Sequence, residues 1–134
     1  MGRHLRKGQK ITCVELEEEM AAIARSNFER AGLSDRIEVI VGDARNILPS
    51  LRGSFDMVFF DAVKWDYLAY LKSIEGLLHK GSVVVADNVK SQAQAVAAYL
   101  HYVRDSGKYA SVYREAPANP GEDEGDAVEI SVRL

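Results

Sequence analysis

The residues best suited to chemistry sit in two short segments, Phe59-Phe60-Asp61-Ala62-Val63-Lys64-Trp65-Asp66-Tyr67 and Val83-Val84-Val85-Ala86-Asp87-Asn88-Val89. Each is an apolar run of β type that stops abruptly in carboxylate or amide oxygens. Such runs belong in a parallel sheet with both faces covered, and ligands of open α/β sheets bind outside the carboxyl ends of the strands. The spacing therefore predicts that Asp61, Lys64, Asp87 and Asn88 converge on one rim. Three oxygen donors and one ammonium could hold a hard divalent cation, Mg²⁺ or Ca²⁺, with a base beside it. A second signal is an absence. The glycines stand at 2, 8, 32, 42, 53, 76, 81, 107, 121 and 125, so no G-x-G turn of the nucleotide-binding kind exists in the sequence.

Each of these residues also has a plainer reading. Asp and Asn are common after strands and at helix N-caps, and Asp66 could cap the helix that follows it. Taken as an ordered set, Asp61, Asp87 and Asn88 favour metal binding. Lys64 is either a solvated loop lysine or a base, the latter conditional on the metal. Asp56 opens a strand and reads as structural. His4, His79 and His101 have no partners at metal-ligand spacing. Cys13 lies in an apolar run and reads as a small buried hydrophobe. The stripe Tyr70, Ile74 and Leu78 reads as core.

The elements that must position these residues alternate strand and helix. Strands are expected over 11–14, ending at Glu15, and over 37–41, closed by Gly42-Asp43. Further strands are expected over 56–60 and 82–86. Helices are expected over 17–31, 66–78 and 91–106, with a short helix or turn over 46–51. The first helix opens on Glu17-Glu18-Glu19, which suits the positive end of a helix dipole, and places Met20, Ile23, Ala24, Phe28 and Ala31 near a helical period before Gly32 stops it. The second carries Tyr67, Tyr70, Leu71, Ile74, Leu77 and Leu78 on one face and ends at Lys80-Gly81. The third uses Ala93, Val96, Ala97, Leu100 and Val103. Two late strands, 109–114 and 127–132, flank 115–126, a Pro-, Gly- and acid-rich stretch read as an exposed, mobile hairpin loop, with Glu122-Asp123-Glu124 as a solvated run. The whole predicts an α/β three-layer domain with a mostly parallel, Rossmann-like sheet and a C-terminal antiparallel hairpin. The opening segment, with Arg3, His4, Arg6 and Lys7 before Gly8, reads as a helix C-terminus or as a frayed basic tail.

Composition bounds the answer further. The chain has 134 residues, 47% hydrophobic and 28% charged, as suits one globular domain. A net charge of −3 gives no electrostatic footprint for nucleic acid. One cysteine rules out an intramolecular disulfide. No apolar stretch reaches membrane-spanning length and no signal-peptide pattern is visible, so a cytoplasmic setting without membrane contact is the expectation.

The runs Val14-Glu15, Gly42-Asp43-Ala44, Phe55 to Lys64 and Ala86-Asp87-Asn88-Val89 together resemble class I S-adenosylmethionine-dependent methyltransferases. More narrowly, they are similar to the metal-dependent O-methyltransferases typified by catechol and caffeoyl-CoA O-methyltransferases. The resemblance covers nearly the whole chain, and its most specific parts are Asp61-x-x-Lys64-x-x-Tyr67 and the Asp87-Asn88 pair. It implies that Glu15 binds the cofactor ribose, that Asp43 and Ala44 line the adenine pocket, and that Asp61 also borders the cofactor. It implies that Asp61, Asp87 and Asn88 hold a divalent cation, Mg²⁺ by preference, and that Lys64 is the general base, with a depressed pKa, for a small hydroxylated substrate. Trp65 would stand near the substrate pocket.

The chain departs from that pattern in lacking the family's first strand and its Gly-rich turn, and in lacking the N-terminal helices that cover the substrate. A truncated chain is the expected explanation. The missing strand would leave inner strand edges open, which predicts self-association, as a dimer through exposed edges or the surface of the missing segment. Two other functions stand beside the leading one. The first is a non-catalytic or weakly active remnant serving as a binding or assembly module. The second is an RNA or protein methyltransferase, which the acidic charge balance and the absence of an Asn/Asp-Pro-Pro-Tyr motif disfavour.

Overall fold

A computed structural model describes residues 2–118 and 124–134. Glu122 and Asp123 of the expected acidic run lie outside the described residues. The chain divides into two compact units, Met1–Ser50 and Leu51–Leu134.

The first unit is a β–α–β unit. Strand β1 (Ile11–Glu15) pairs in parallel with β2 (Ile37–Val41), in register from Ile11 opposite Ile37 to Glu15 opposite Val41. Parallel neighbours need a crossover, and α1 (Glu18–Arg30) supplies it. Its end is closed by Leu33 N donating to Phe28 O and by Gly32 at φ 68°, a left-handed stop that glycine takes without strain. Arg25 Nη2 donates to Val39 O at 3.1 Å while its Nη1 pairs with Glu18, so one side chain fastens the helix to β2. The buried residue of α1 is Ala21, whereas Met20 and Ile23, expected on its apolar side, are about half exposed (53% and 50%). Ala24 and Phe28, also expected on that side, are half-buried next to Ala21, so the inward stripe is rotated away from Met20 and Ile23. After β2, Gly42 at φ 149° turns the chain, and its N–H donates to Glu15 O. A short helix α2 (Ala44–Ile47) and a 3-10 turn Leu48–Ser50 follow. The described part of the opening segment holds a 3-10 turn, Gly2–His4, and a turn at Lys7–Gly8.

The second unit is a mixed four-stranded sheet with helices on one face. Its strands are β3 (Phe55–Phe60), β4 (Leu78–Ala86), β5 (Tyr109–Glu115) and β6 (Ala127–Arg133), in the order β3-β4-β6-β5. The β3–β4 pair is parallel; β4–β6 and the hairpin β5–β6 are antiparallel. Helix α3 (Tyr67–Ile74) makes the β3–β4 crossover, and α4 (Ala97–Asp105) joins β4 to β5.

Two boundaries differ from expectation by more than two residues. Helix α3 stops at Ile74, a 3-10 turn takes Glu75–Leu77, and β4 begins at Leu78, so Lys80 and Gly81 lie inside a strand rather than after a helix. The cause is an irregularity in the ladder: the register shifts between Phe55 and Met57, Gly81 sits at φ 91°, and Ser82 Oγ bridges His79 N and Phe55 O. The second boundary is the start of α4. Residues 91–96 form turns because backbone bonds of i−3 spacing (Ala93 to Lys90, Ala97 to Gln94) interrupt the i−4 ladder.

The core lies between the sheet and α3 and α4. Phe60, Val84 and Ala86 from the strands meet Tyr67, Tyr70, Leu71 and Ile74 from α3 and Val96, Tyr99 and Val103 near and on α4, all buried. Tyr99, not Ala97, fills the inward position of α4 and packs edge-on against Phe60 and Tyr67. The inward face of β6 carries Glu129, fully buried and held by two bonds from Arg104 of α4 at 2.8 and 2.7 Å. On the opposite face of the sheet, Met57 and Phe59 are 45% exposed and Val112 and Val132 are more than a third exposed.

Candidate functional site

Asp61 and Asp87 begin where two paired strands end. Phe60 lies opposite Ala86 in the parallel register, and Asp87 N donates to Phe60 O at 2.9 Å, so the two carboxylates leave adjacent strand termini. Tyr67, in the first turn of α3, fixes this junction: its hydroxyl donates to Phe60 O at 2.9 Å and reaches Asp87 O at 3.3 Å. The side chain is fully buried, and burial raises its phenol above the ordinary value.

Lys64 opens a 3-10 turn, Lys64–Asp66, and reaches back to Asp61, with Nζ 2.8 Å from Oδ1 and 5.4 Å from the Tyr67 ring centre. Its side chain is only 16% exposed. Burial pulls the ammonium down, but the contacts to Asp61 and Tyr67 outweigh it and hold the lysine above its ordinary value. The depressed pKa expected of a base therefore requires that Asp61 be engaged by something else.

Asn88 follows with φ 60°, the non-glycine residue that takes a left-handed backbone among the described residues. Its N–H donates to Asp87 Oδ1 at 2.8 Å, and its side-chain Nδ2 donates to Asp126 Oδ2 at 3.0 Å. The second oxygens of Asp61 and Asp87 and Oδ1 of Asn88 accept no hydrogen bond from described residues. Two carboxylates and an amide carbonyl at one rim are hard oxygen donors, which fit a cation of the Mg²⁺ or Ca²⁺ type. No cluster of three His, Cys, Asp or Glu side chains suited to a metal occurs among the described residues. A site here rests on two carboxylates plus the amide.

Of the other predicted residues, Glu15, Asp43, Ala44 and Cys13 belong to the first unit and Trp65 and Asp56 to the second. Glu15 ends β1, and its Oε1 accepts Glu17 N at 3.0 Å, ahead of α1. Asp43 caps α2 by accepting Arg45 N at 2.8 Å, and it pairs with the Arg45 guanidinium at 2.9 Å. Hydrogen bonds from Arg45 hold its carboxyl below the usual range. Ala44 is the first residue of α2. Trp65 is 69% exposed. Asp56, read as structural, binds His79 Nε2 at 2.9 Å. Cys13 is half-buried, and burial raises its thiol, consistent with a packing role.

Two residues that carry the geometry were not assigned it from the sequence. Tyr67 was visible in the Asp-x-x-Lys-x-x-Tyr spacing, without a role. Asp126, at the end of the expected loop, had no local signal for this role, because its partners at the rim lie between 35 and 38 residues away.

Comparison with known proteins places the chain in a family. A family model described as O-methyltransferase matches residues 1–104. Catechol O-methyltransferase B of Danio rerio is 36% identical over 120 residues, covering 84% of this chain and 45% of that protein. Catechol O-methyltransferase of Sus scrofa is 37% identical over 116 residues, covering 81% of this chain and 61% of that protein. Among solved structures, the O-methyltransferase of Bacillus cereus in complex with SAH matches with a TM-score of 0.89 at 27% identity. TomG of Streptomyces achromogenes, an O-methyltransferase involved in tomaymycin synthesis, in complex with SAM, matches with a TM-score of 0.91 at 26% identity. Both alignments cover 99% of this chain and 66% of the other. The chain thus spans less than two thirds of the length of these relatives. With a strand-end rim of this composition and a match over most of its length, the chain belongs to the S-adenosylmethionine-dependent O-methyltransferase family.

Proposed function

We propose that this polypeptide serves the transfer of a methyl group from S-adenosylmethionine to a hydroxyl of a small molecule, with a divalent cation, Mg²⁺ by preference, held by Asp61, Asp87 and Asn88. The observation that carries the reading is the pair of carboxylates on neighbouring strand ends, one of them in contact with a largely buried lysine. The names of its relatives, catechol O-methyltransferases, support a hydroxylated small molecule, and the SAM- and SAH-bound structures support the cofactor.

The cation would supply a Lewis acid that lowers the pKa of a bound hydroxyl. The remaining roles fall to the chain itself. Lys64 Nζ takes the proton from the substrate hydroxyl, and engagement of Asp61 by a ligand removes the contact that keeps Lys64 charged. Tyr67 keeps the two strand ends at a fixed spacing. In this reading Glu15 accepts hydrogen bonds from the ribose, and Asp43 with Ala44 borders the adenine. No covalent intermediate is required, since positioning and charge stabilisation do most of the work.

Isothermal titration with S-adenosylmethionine tests the reading. Saturable binding is expected, and no heat at millimolar cofactor would overturn it for this chain. An activity that survives EDTA and the Lys64→Ala change would reject the metal-assisted route and favour the other readings. Self-association belongs to the same proposal, because β3 is an edge strand with no partner on its outer side among the described residues. Sedimentation velocity is expected to show a concentration-dependent rise in mass; a monomer across the range would discard that part.

A further inference from the structure

The Asn88 amide can serve a cation only through its carbonyl oxygen, so something must settle which way the amide faces. Oxygen and nitrogen differ little in shape, and the choice between them is made by the hydrogen-bond partner. Here that partner is Asp126. Its Oδ2 accepts Asn88 Nδ2 at 3.0 Å and also the Ser91 hydroxyl. Its Oδ1 accepts the backbone N–H groups of Lys90 (3.2 Å), Ser91 (3.1 Å) and Ala127 (2.7 Å). A carboxylate has no proton to donate, so it holds the NH₂ arm of the amide and rejects the oxygen.

From this arrangement we infer that Asp126 is a positioning residue for the rim, fixing the Asn88 side chain with Oδ1 presented as a ligand and clamping the turn 88–91 to the start of β6. The inference rests on the metal reading above and adds to it a residue that touches neither metal nor substrate. Two further observations agree with a clamp. Asn88 holds a left-handed backbone at φ 60°, a conformation that persists where neighbours over-determine it. The backbone joins the same two segments, with Val89 N donating to Ala127 O at 2.9 Å.

The inference makes a specific demand on Asp126→Asn. That variant keeps the size and can keep the three backbone contacts through its own Oδ1. It then places an NH₂ group against Asn88, which must turn its oxygen towards residue 126 and its nitrogen towards the rim. A nitrogen bearing two hydrogens cannot ligate a cation. The double variant Asn88→Asp/Asp126→Asn restores the pairing with donor and acceptor exchanged and leaves a carboxylate oxygen for the cation.

The probe is Mn²⁺, followed by electron paramagnetic resonance of the free ion in titrations of the whole chain, with thermal melts alongside. Asp126→Asn is expected to weaken Mn²⁺ binding about tenfold or more, as losses of ligand-orienting partners do, and the double variant is expected to recover most of it. A folded Asp126→Asn protein that binds Mn²⁺ like the parent would overturn the inference. So would a folded double variant that fails to recover, and this second arm decides the matter if the single variant melts early. If the parent chain itself binds no Mn²⁺, the metal reading falls and takes this inference with it, an outcome distinct from the other two.

Discussion

At the scale of the residue, the rim depends on a few atoms with more than one task. Lys64 is held charged by Asp61 and is largely buried, so its removal leaves the Asp61 carboxylate without that partner and, under the proposed mechanism, removes the base. Lys64→Ala is expected to lower the methyl-transfer rate by about 10²-fold or more, the usual weight of a positioned base, while S-adenosylmethionine affinity by titration stays near that of the parent. Equal losses in both would move Lys64 from base to cofactor binding. Tyr67 makes a different kind of contribution. Its hydroxyl satisfies backbone carbonyls of both Phe60 and Asp87. Tyr67→Phe leaves the ring packing intact but takes the hydroxyl donor from both carbonyls, Phe60 O keeping its bond from Asp87 N, so a loss of about 1 kcal/mol in urea unfolding is expected. A loss within error would mean that other donors replace the hydroxyl.

At the scale of the element, the strand-to-helix junctions decide what faces the rim. The β3–α3 junction returns through one 3-10 turn, which is why Lys64 can reach Asp61 three residues earlier. The β4–α4 junction is longer and is tied down by Asp126 rather than by its own helix cap. Helix α4 is in turn anchored from below by Arg104 on the fully buried Glu129. Arg104→Met keeps much of the volume but leaves a carboxylate inside the protein without its partner. A destabilisation of about 2–4 kcal/mol is expected from denaturant midpoints, with a smaller loss for Arg104→Lys, which retains one charge-assisted bond. If Arg104→Met unfolds at the parent's midpoint, Glu129 is being satisfied in another way. Such a result would also weaken the view that α4 is held in register by this pair.

At the scale of the whole molecule, the second unit is closed by polar contacts far from the rim. Glu75, in the turn after α3, accepts from the hydroxyls of Tyr102 and Tyr109 and pairs with Lys108 and Arg133, which brings together α4, β5 and β6. Burial alone would raise its carboxyl, but the bonds from Lys108, Tyr102 and Tyr109 prevail and lower it. A depressed carboxyl contributes stability that is full above its unfolded value of 4.5 and is lost as pH falls through the lower folded value. Urea midpoints measured from neutral pH down into that acidic window should therefore fall less steeply for Glu75→Gln than for the parent, while the variant is weaker at neutral pH. Parallel pH profiles would remove Glu75 from the account of acid sensitivity.

The strand–helix alternation and the rim segments were legible in the sequence because each rests on a local cause. An apolar β-type run that stops in Asp or Asn marks a strand end, and a 3.6-residue period marks a helix, whatever the neighbours are. The parts that were not legible depend on contacts between distant residues. The inward stripe of α1, the replacement of Ala97 by Tyr99 in the core and the early start of β4 were each settled by packing or by a shifted ladder. Residue types and order thus determined which groups could ligate a cation or take a proton. Only the tertiary structure determined that Asp61 and Asp87 leave adjacent strands, that Lys64 is charged against Asp61, and that Asp126 holds the Asn88 amide. The physical reason is that register, burial and hydrogen-bond partners across the sheet are properties of the folded chain, and no local stretch of sequence contains them.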